Sequence, residues 1–166
     1  MTDVRPPEVF EELYQREYRS VVAFAYSLCG SWGGAEELAQ EAFLAAYREW
    51  DRIGAYLSPE AWLRRVVANR AASGWRRRGS EARALTKLAG RREEPLAAGI
   101  DHEFWTAVRA LPDRQAQVVA LHYLEDRSVD EIAAILELAS GTVKVHLHRA
   151  RLALAEALRL EVEDEF

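Results

Sequence analysis

The sequence predicts an all-α protein of two small helical domains, an N-terminal helical bundle and a C-terminal helix-turn-helix, joined by a flexible linker. Three observations predict it. Apolar residues recur at the three-and-four spacing of amphipathic helices, with no alternating strand pattern of useful length. One internal stretch, Gly79 to Ile100, holds Gly79, Gly90, Pro95 and Gly99 and lacks a sustained apolar stripe. Near the C-terminus, a capped short helix is followed by a tight turn and a longer basic helix. The expected boundaries are 1–79 for the first domain, 80–100 for the linker and 101–166 for the second domain.

Each element has its own signal. Phe10, Leu13, Tyr14, Val21, Phe24, Ala25 and Leu28 mark a first helix over Val9 to Cys29, ending at Gly30 and the Gly33-Gly34 break. A second runs from Ala35 to Trp50, with Leu38, Ala39, Ala42, Phe43, Ala46, Tyr47 and Trp50 as its apolar stripe. Asp51 to Leu57 reads as a loop. Ser58 can then cap a third helix, with Pro59 in the first turn where its missing N–H costs nothing, continuing to about Arg78. After the linker, Phe104, Val108 and Leu111 share a face, and Pro112 starts a helix whose core continues through Val118, Val119 and Leu121 to Leu124. Ser128-Val-Asp-Glu131 is a capping box ahead of Ile132, Ala133 and Leu136. Ser140 is the expected cap of the last helix, which carries Val143, Leu147, Ala150, Leu154 and Leu158.

Composition narrows the class. With 166 residues, 49% of them hydrophobic and 30% charged, the chain is globular rather than disordered. No run approaches the ~18 apolar residues of a membrane span, so membrane insertion is not expected. Met1 to Phe10 is polar and acidic, unlike a signal peptide. Cys29 is the single cysteine, which excludes an internal disulfide and a cysteine-rich zinc site. A cytoplasmic location is the expectation. His102, His122, His146 and His148 have no cysteine partners, and His146 and His148 cannot share a helix face. There is no phosphate-binding glycine loop or nucleophile motif. No enzymatic activity, metal or cofactor is therefore expected.

The net charge is −5, unusual for a nucleic-acid binder, but its distribution is uneven. Met1 to Arg78 holds 11 acids and 11 bases, and Asp101 to Phe166 holds 13 acids against 7 bases. Within them, Leu63 to Arg78 has six arginines and no acid, and Ser140 to Arg151 has Lys144, Arg149, Arg151 and two histidines, again with no acid. Two basic faces on an acidic body point to DNA contact at two defined places. On the last helix, small Ser140, Gly141 and Thr142 would let backbone N–H groups approach a phosphate. Lys144, His148 and Arg151 lie along one line with Val145, His146 and Arg149 beside it. A solvated basic face is the plainer alternative, disfavoured by the capped helix just upstream. On the earlier helix, Arg65, Asn69, Ala72 and Arg76 share a face, with Arg77 and Arg78 beyond it, a track suited to phosphates with one group able to pair with a base edge. Trp62 and Trp75 are either core residues, the commoner case, or stacking platforms, and Tyr56 is better placed to be exposed. Glu36, Glu37 and Glu41 would repel DNA, so that face meets solvent or a basic partner, with Gln40, Phe43 and Tyr47 completing a mixed interface.

Three stretches carry a resemblance. They are Ala35-Glu-Glu-Leu-Ala-Gln-Glu-Ala-Phe43 through Trp50; Pro59-Glu-Ala-Trp-Leu-Arg-Arg-Val-Val-Ala-Asn-Arg70 with Trp75-Arg-Arg-Arg78; and Leu111-Pro-Asp-Arg114, the S-V-D-E-I-A box and Gly141-Thr-Val-Lys144 to His148-Arg-Ala-Arg151. In this order and separation they resemble the sigma-70 family of bacterial RNA polymerase sigma factors, and the short linker is similar to its extracytoplasmic-function group. The resemblance implies that Glu37, Gln40, Glu41 and Phe43 bind the clamp helices of the polymerase's largest subunit. It implies that the loop Asp51 to Leu57, with Tyr56, holds a flipped base while Arg65, Asn69, Arg76, Arg77 and Arg78 grip the melted minus-ten element. Ser140, Thr142, Lys144, His148, Arg149 and Arg151 would meet the minus-thirty-five element as duplex. The linker would thread toward the RNA exit path, with Glu93 and Glu94 in space later taken by RNA, and an anti-sigma factor is a common family partner. Two features depart from the pattern. Glu137 sits in the turn where the family usually has glycine, so a different or strained backbone is expected, and Val145-His146 replaces a more polar or basic pair. The competing readings are a stand-alone helix-turn-helix regulator with a ligand-sensing N-terminal half, and a polymerase-binding antagonist.

Overall fold

A computed structural model describes residues 9–56, 58–72 and 102–164, with side chains as far as Arg159. Among these residues every regular element is helical, in the order α1 (Phe10–Cys29), α2 (Trp32–Arg48), α3 (Trp50–Ile53), α4 (Pro59–Arg70), α5 (His102–Arg109), α6 (Asp113–Val119), α7 (Val129–Leu136) and α8 (Ser140–Asp164). A π-helical stretch, Ala120–Leu124, widens the end of α6.

In the first unit α1 and α2 form an antiparallel pair with α4 laid across both. Ala35, Ala39, Ala42 and Ala46 are fully buried along α2, and side chains this small let the α1 backbone come close. Leu13, Val21, Phe24, Leu38, Leu63 and Val67 fill the space around them. The turn between α1 and α2 is set by Gly30, left-handed at φ 77, whose N–H closes on the Tyr26 carbonyl at 2.8 Å. A Cβ there would also stand 2.8 Å from Nε of Arg109 on α5. Gly30→Ala is therefore expected to cost about 1–2 kcal/mol through the left-handed backbone alone, measurable as a lower thermal midpoint. The Gly33-Gly34 pair is not a break, contrary to the sequence reading. Ser31 caps α2, accepting from the Gly34 N–H at 3.2 Å, and both glycines lie inside the first turn. The stretch read as a loop from Asp51 begins as the short helix α3. Ser58 caps α4 and Pro59 opens it, as expected. The continuation toward Arg78, the linker and Leu57 lie outside the described residues.

In the second unit Trp105, Val108, Val118, Val119, Leu121, Ile132, Ile135, Val143, Leu147, Ala150 and Leu154 form the core. The Ser128–Glu131 capping box is complete: the Ser128 hydroxyl accepts from the Glu131 N–H at 3.1 Å, and the Glu131 carboxylate from the Ser128 N–H at 3.2 Å. Ser140 does not cap α8; its hydroxyl donates instead to the Asp130 carboxylate at 2.8 Å, tying the two helices of the helix-turn-helix together.

The two units share one continuous core, with α4 packed on α7 and α1 on α5 and the π-helical stretch. Buried Gln117 donates to the Ala68 carbonyl across this boundary at 3.0 Å. At its centre lies the Arg64 guanidinium, 1% exposed. Nε and Nη2 grip Glu125 at 2.8–3.0 Å, Nη1 donates to Glu17 at 2.8 Å and to the Glu60 carbonyl at 3.3 Å, and Nη2 also donates to the Ser20 hydroxyl at 3.0 Å. One of the six arginines of the basic track is thus interior and structural.

Candidate nucleic-acid and polymerase interfaces

Helix α8 buries Val143, Leu147 and Ala150 against α5, α6 and α7. Its 3.6-residue period then turns Gly141, Thr142, Lys144, Val145, His148, Arg149 and Arg151 outward, all exposed. A Cβ at Gly141 would meet nothing within 4 Å, so packing within the chain does not require glycine there. A small residue at the start of an outward helix leaves room for an incoming phosphate or base edge. His146 is partly buried, and its Nδ1 has no hydrogen-bond partner among the described residues. Ser140 is half-buried and committed to Asp130, which leaves its hydroxyl less free than the sequence suggested.

Arg151 is not simply solvated. Its Nε donates to the Tyr123 hydroxyl at 2.8 Å, and its guanidinium lies 5.8 Å from the centre of that ring. Tyr123 comes from the π-helical stretch, 48% exposed, with its ring edge-on to Phe104 and His122. This pairing ties the Arg151 guanidinium to the rim of the Tyr123 ring, so its position is set within the chain. Sequence reading missed Tyr123, taking it as core in the run Leu121 to Leu124. The signal was the π-type insertion, which rotates one residue of the turn outward and leaves no mark on apolar spacing.

On the first unit, Tyr56 is 40% exposed and held by Arg52, whose Nη1 donates to its hydroxyl at 3.0 Å. Asn69 is exposed on α4. Arg65 is drawn onto the second unit, donating to the Ile135 and Ala134 carbonyls, both at 2.9 Å. Trp62 packs partly buried on the core. Trp75, Arg76, Arg77 and Arg78 lie outside the described residues, as do Glu93 and Glu94. The predicted track is therefore visible only as Arg65 and Asn69, and only Asn69 of the two stands open.

On α2, Glu36, Glu37 and Gln40 are exposed, while Glu41 is half-buried and pairs with Arg70 of α4 at 3.3 Å. Phe43 corrects the sequence reading. It is 3% exposed, its ring edge-on to Tyr14 at 4.9 Å and near Phe10 at 6.5 Å. It supports α2 from within and has no surface to offer a partner. The aromatic exposed on that helix is Tyr47, at 63%, beside Leu44 at 49%. Alternate turns explain the exchange: Phe43 points to α1, while Tyr47, one turn on, is largely exposed and keeps an edge-on ring contact with Phe10 at 5.3 Å.

Charge effects at these sites are local. Burial raises the Glu17 pKa, and the Arg64 charge with hydrogen bonds from Arg64, Ser20 and Arg16 outweighs it, leaving the carboxyl below its usual value. In the capping box, the backbone and side chain of Ser128 lower the pKa of Glu131.

Residues 13–81 match the family Sigma-70 region 2, and residues 101–154 match Sigma-70, region 4. The chain is 32% identical to the RNA polymerase sigma-E factor of Streptomyces antibioticus over 151 residues, covering 90% of this chain and 84% of that one. It is 26% identical over 168 residues to the extracytoplasmic-function RNA polymerase sigma factor SigW of Bacillus subtilis, covering 92% and 90%. A solved structure, the sigma factor RpoE in complex with the anti-sigma factor NepR from Bartonella quintana, superimposes with a TM-score of 0.65 at 28% identity, covering 90% of this chain and 96% of that one. No helix among the described residues is long and apolar enough to cross a membrane.

Proposed function

Because the chain belongs to the extracytoplasmic-function group of the sigma-70 family, whose members direct transcription by RNA polymerase, we propose that it binds core enzyme and brings it to promoters through both DNA elements. It acts without enzymatic chemistry of its own. Residues 1–79 bind core and the minus-ten element, 80–100 link, and 101–166 read the minus-thirty-five element. One observation carries this reading: a capped helix-turn-helix whose α8 turns Lys144, His148 and Arg149 outward, in the same chain as a region-2 bundle with an acidic α2 face.

The division of labour follows from charge. A −5 chain is repelled by duplex DNA as a whole. Glu37, Gln40 and Glu41 give it instead an acidic face for the basic clamp helices of the largest polymerase subunit, and Tyr47 and Leu44 take the apolar part first assigned to Phe43. Once docked, Thr142, Lys144, His148, Arg149 and Arg151 meet the minus-thirty-five duplex. Tyr56, Asn69 and Arg76 to Arg78 hold unpaired minus-ten bases and their phosphates. An anti-sigma factor is a partner of the same class as that bound in the RpoE–NepR structure.

Promoter selection from a random library with the reconstituted holoenzyme, followed by run-off transcription, tests the reading. Enrichment of two spaced elements is expected; failure on every promoter favours an antagonist, and tight specific binding by the free chain favours a stand-alone regulator. Glu41→Lys is expected to weaken core binding about tenfold, measured by competition for labelled core, while the thermal midpoint moves little because the Arg70 pair is exposed. Unchanged affinity moves the interface off this face.

A further inference from the structure

The segment between α2 and α4 is built more tightly than a connection requires. Glu49 caps the end of α2, and the single turn of α3 brings the next side chains back over it at helical spacing. Arg52 donates from Nη2 to the Glu49 carboxylate at 2.8 Å, three residues back, and from Nη1 to the Tyr56 hydroxyl at 3.0 Å, four residues on. Ile53 is fully buried beneath them, and the Tyr56 N–H closes on its carbonyl at 2.9 Å. The Gly54 N–H closes on the Trp50 carbonyl at 2.8 Å, and a Cβ at Gly54 would stand 2.9 Å from Cε2 of the Trp50 indole. The backbone leading to Tyr56 is therefore seated on the indole, while Arg52 holds the ring from its other end.

This brace adds little to folding, because the Arg52 and Glu49 side chains are 57% and 47% exposed and exposed pairs are weak. What it fixes is a ring. The guanidinium carbon lies 5.9 Å from the centre of the Tyr56 ring, near the outer reach of a cation–π contact, while Nη1 is at the hydroxyl. Arg52 thus grips the hydroxyl rim and does not cover the ring, which stays 40% exposed. An unpaired base stacks on such a ring with less loss of freedom when the ring is already held. The hydroxyl, accepting from Arg52, keeps its own proton to donate.

We propose that Arg52 is a positioning residue for minus-ten recognition: backed by Glu49, it holds the Tyr56 ring in the orientation on which one unpaired base stacks. The stacking rests on the role of Tyr56 proposed above; the brace belongs to the fold alone. Arg52 acts through the ring and not on a phosphate, since its charge is paired with Glu49 and both Nη groups already donate.

The test uses the holoenzyme and a labelled single strand carrying the minus-ten element that promoter selection yields, with binding read by fluorescence anisotropy. Tyr56→Ala should weaken binding roughly 5- to 150-fold, and an abasic residue at one position of the strand should cancel that loss. Arg52→Met keeps the stem and removes the donors. It should weaken binding about three- to tenfold, and the same abasic position should cancel this loss too, which a merely structural role would not do. In a Tyr56→Phe background, without the hydroxyl, Arg52→Met should cost less than about twofold. An equal loss in both backgrounds, with a salt dependence shallower by about one unit, makes Arg52 a phosphate contact and overturns the proposal. A loss with Tyr56→Ala and none with Arg52→Met overturns it as well, and leaves the base-holding role standing. No loss with Tyr56→Ala removes the base-holding role itself, and the inference falls with it.

Discussion

Replacing Arg64 with alanine is expected to remove about 3–5 kcal/mol of folding stability, read as a lower urea midpoint. The size follows from what remains. Glu17 and Glu125, with side chains 13% and 8% exposed, would keep their place beside a gap with no cation between them. Removing one member of a buried ion network costs far more than the network contributes, because the other charges stay desolvated. Replacing all three by apolar residues of similar size, Arg64→Met with Glu17→Met and Glu125→Met, should recover most of the loss. If the single variant costs under about 1 kcal/mol, the magnitude of an exposed pair, the cluster is not desolvated as the geometry indicates.

The same cluster sets an acid limit. The folded pKa of Glu17 lies below its unfolded value, so its contribution is complete above the unfolded carboxylate range, about 4.3. It is lost as pH falls through the lowered folded value. Arg64 stays charged throughout. The difference between the parent chain and Arg64→Ala should therefore narrow below about pH 4, where protonation neutralises the stranded carboxylate. A constant gap from pH 7 to pH 3 would mean that the loss is one of packing, not of charge.

Periodicity and capping made most of the helices legible, since amphipathic spacing and N-cap residues act within a few positions of one another. Ser58-Pro59 and the Ser128–Glu131 box mark their helices directly. What escaped depends on distance in the chain. Nothing near Arg64 distinguishes it from Arg65, yet one is interior and the other is a cap, because their partners lie 61 and 70 residues away. Phe43 and Tyr47 were indistinguishable on a helical stripe, and only the reach of α1 decides which is covered. Glu137 was legible as an oddity, a side chain in a glycine's place, where the backbone is left-handed at φ 56. Its ion pair with Arg65 was not. The outward side of α8 was the most legible part, because three buried positions, Val143, Leu147 and Ala150, fix it.

On that face the double variant Lys144→Ala with Arg149→Ala is expected to lower promoter-directed run-off transcription by roughly 30- to 1,000-fold, about 2–4 kcal/mol for two contacts. Both side chains are exposed and point away from the core, so folding stability and affinity for core polymerase should be unchanged. Three measurements separate the causes of a loss. A salt titration of holoenzyme binding to promoter should become shallower by about one unit for each phosphate contact removed. A promoter with a randomised minus-thirty-five element should lose little further activity, because what it lacks has already been removed from the protein. Competition for core should show the parent affinity. Equal loss on all DNA, with the full salt change, would make the two residues phosphate anchors and move base reading to Thr142, Val145 and His148. A loss accompanied by weaker core binding would instead place α8 against polymerase, and the acidic face of α2 would need another partner.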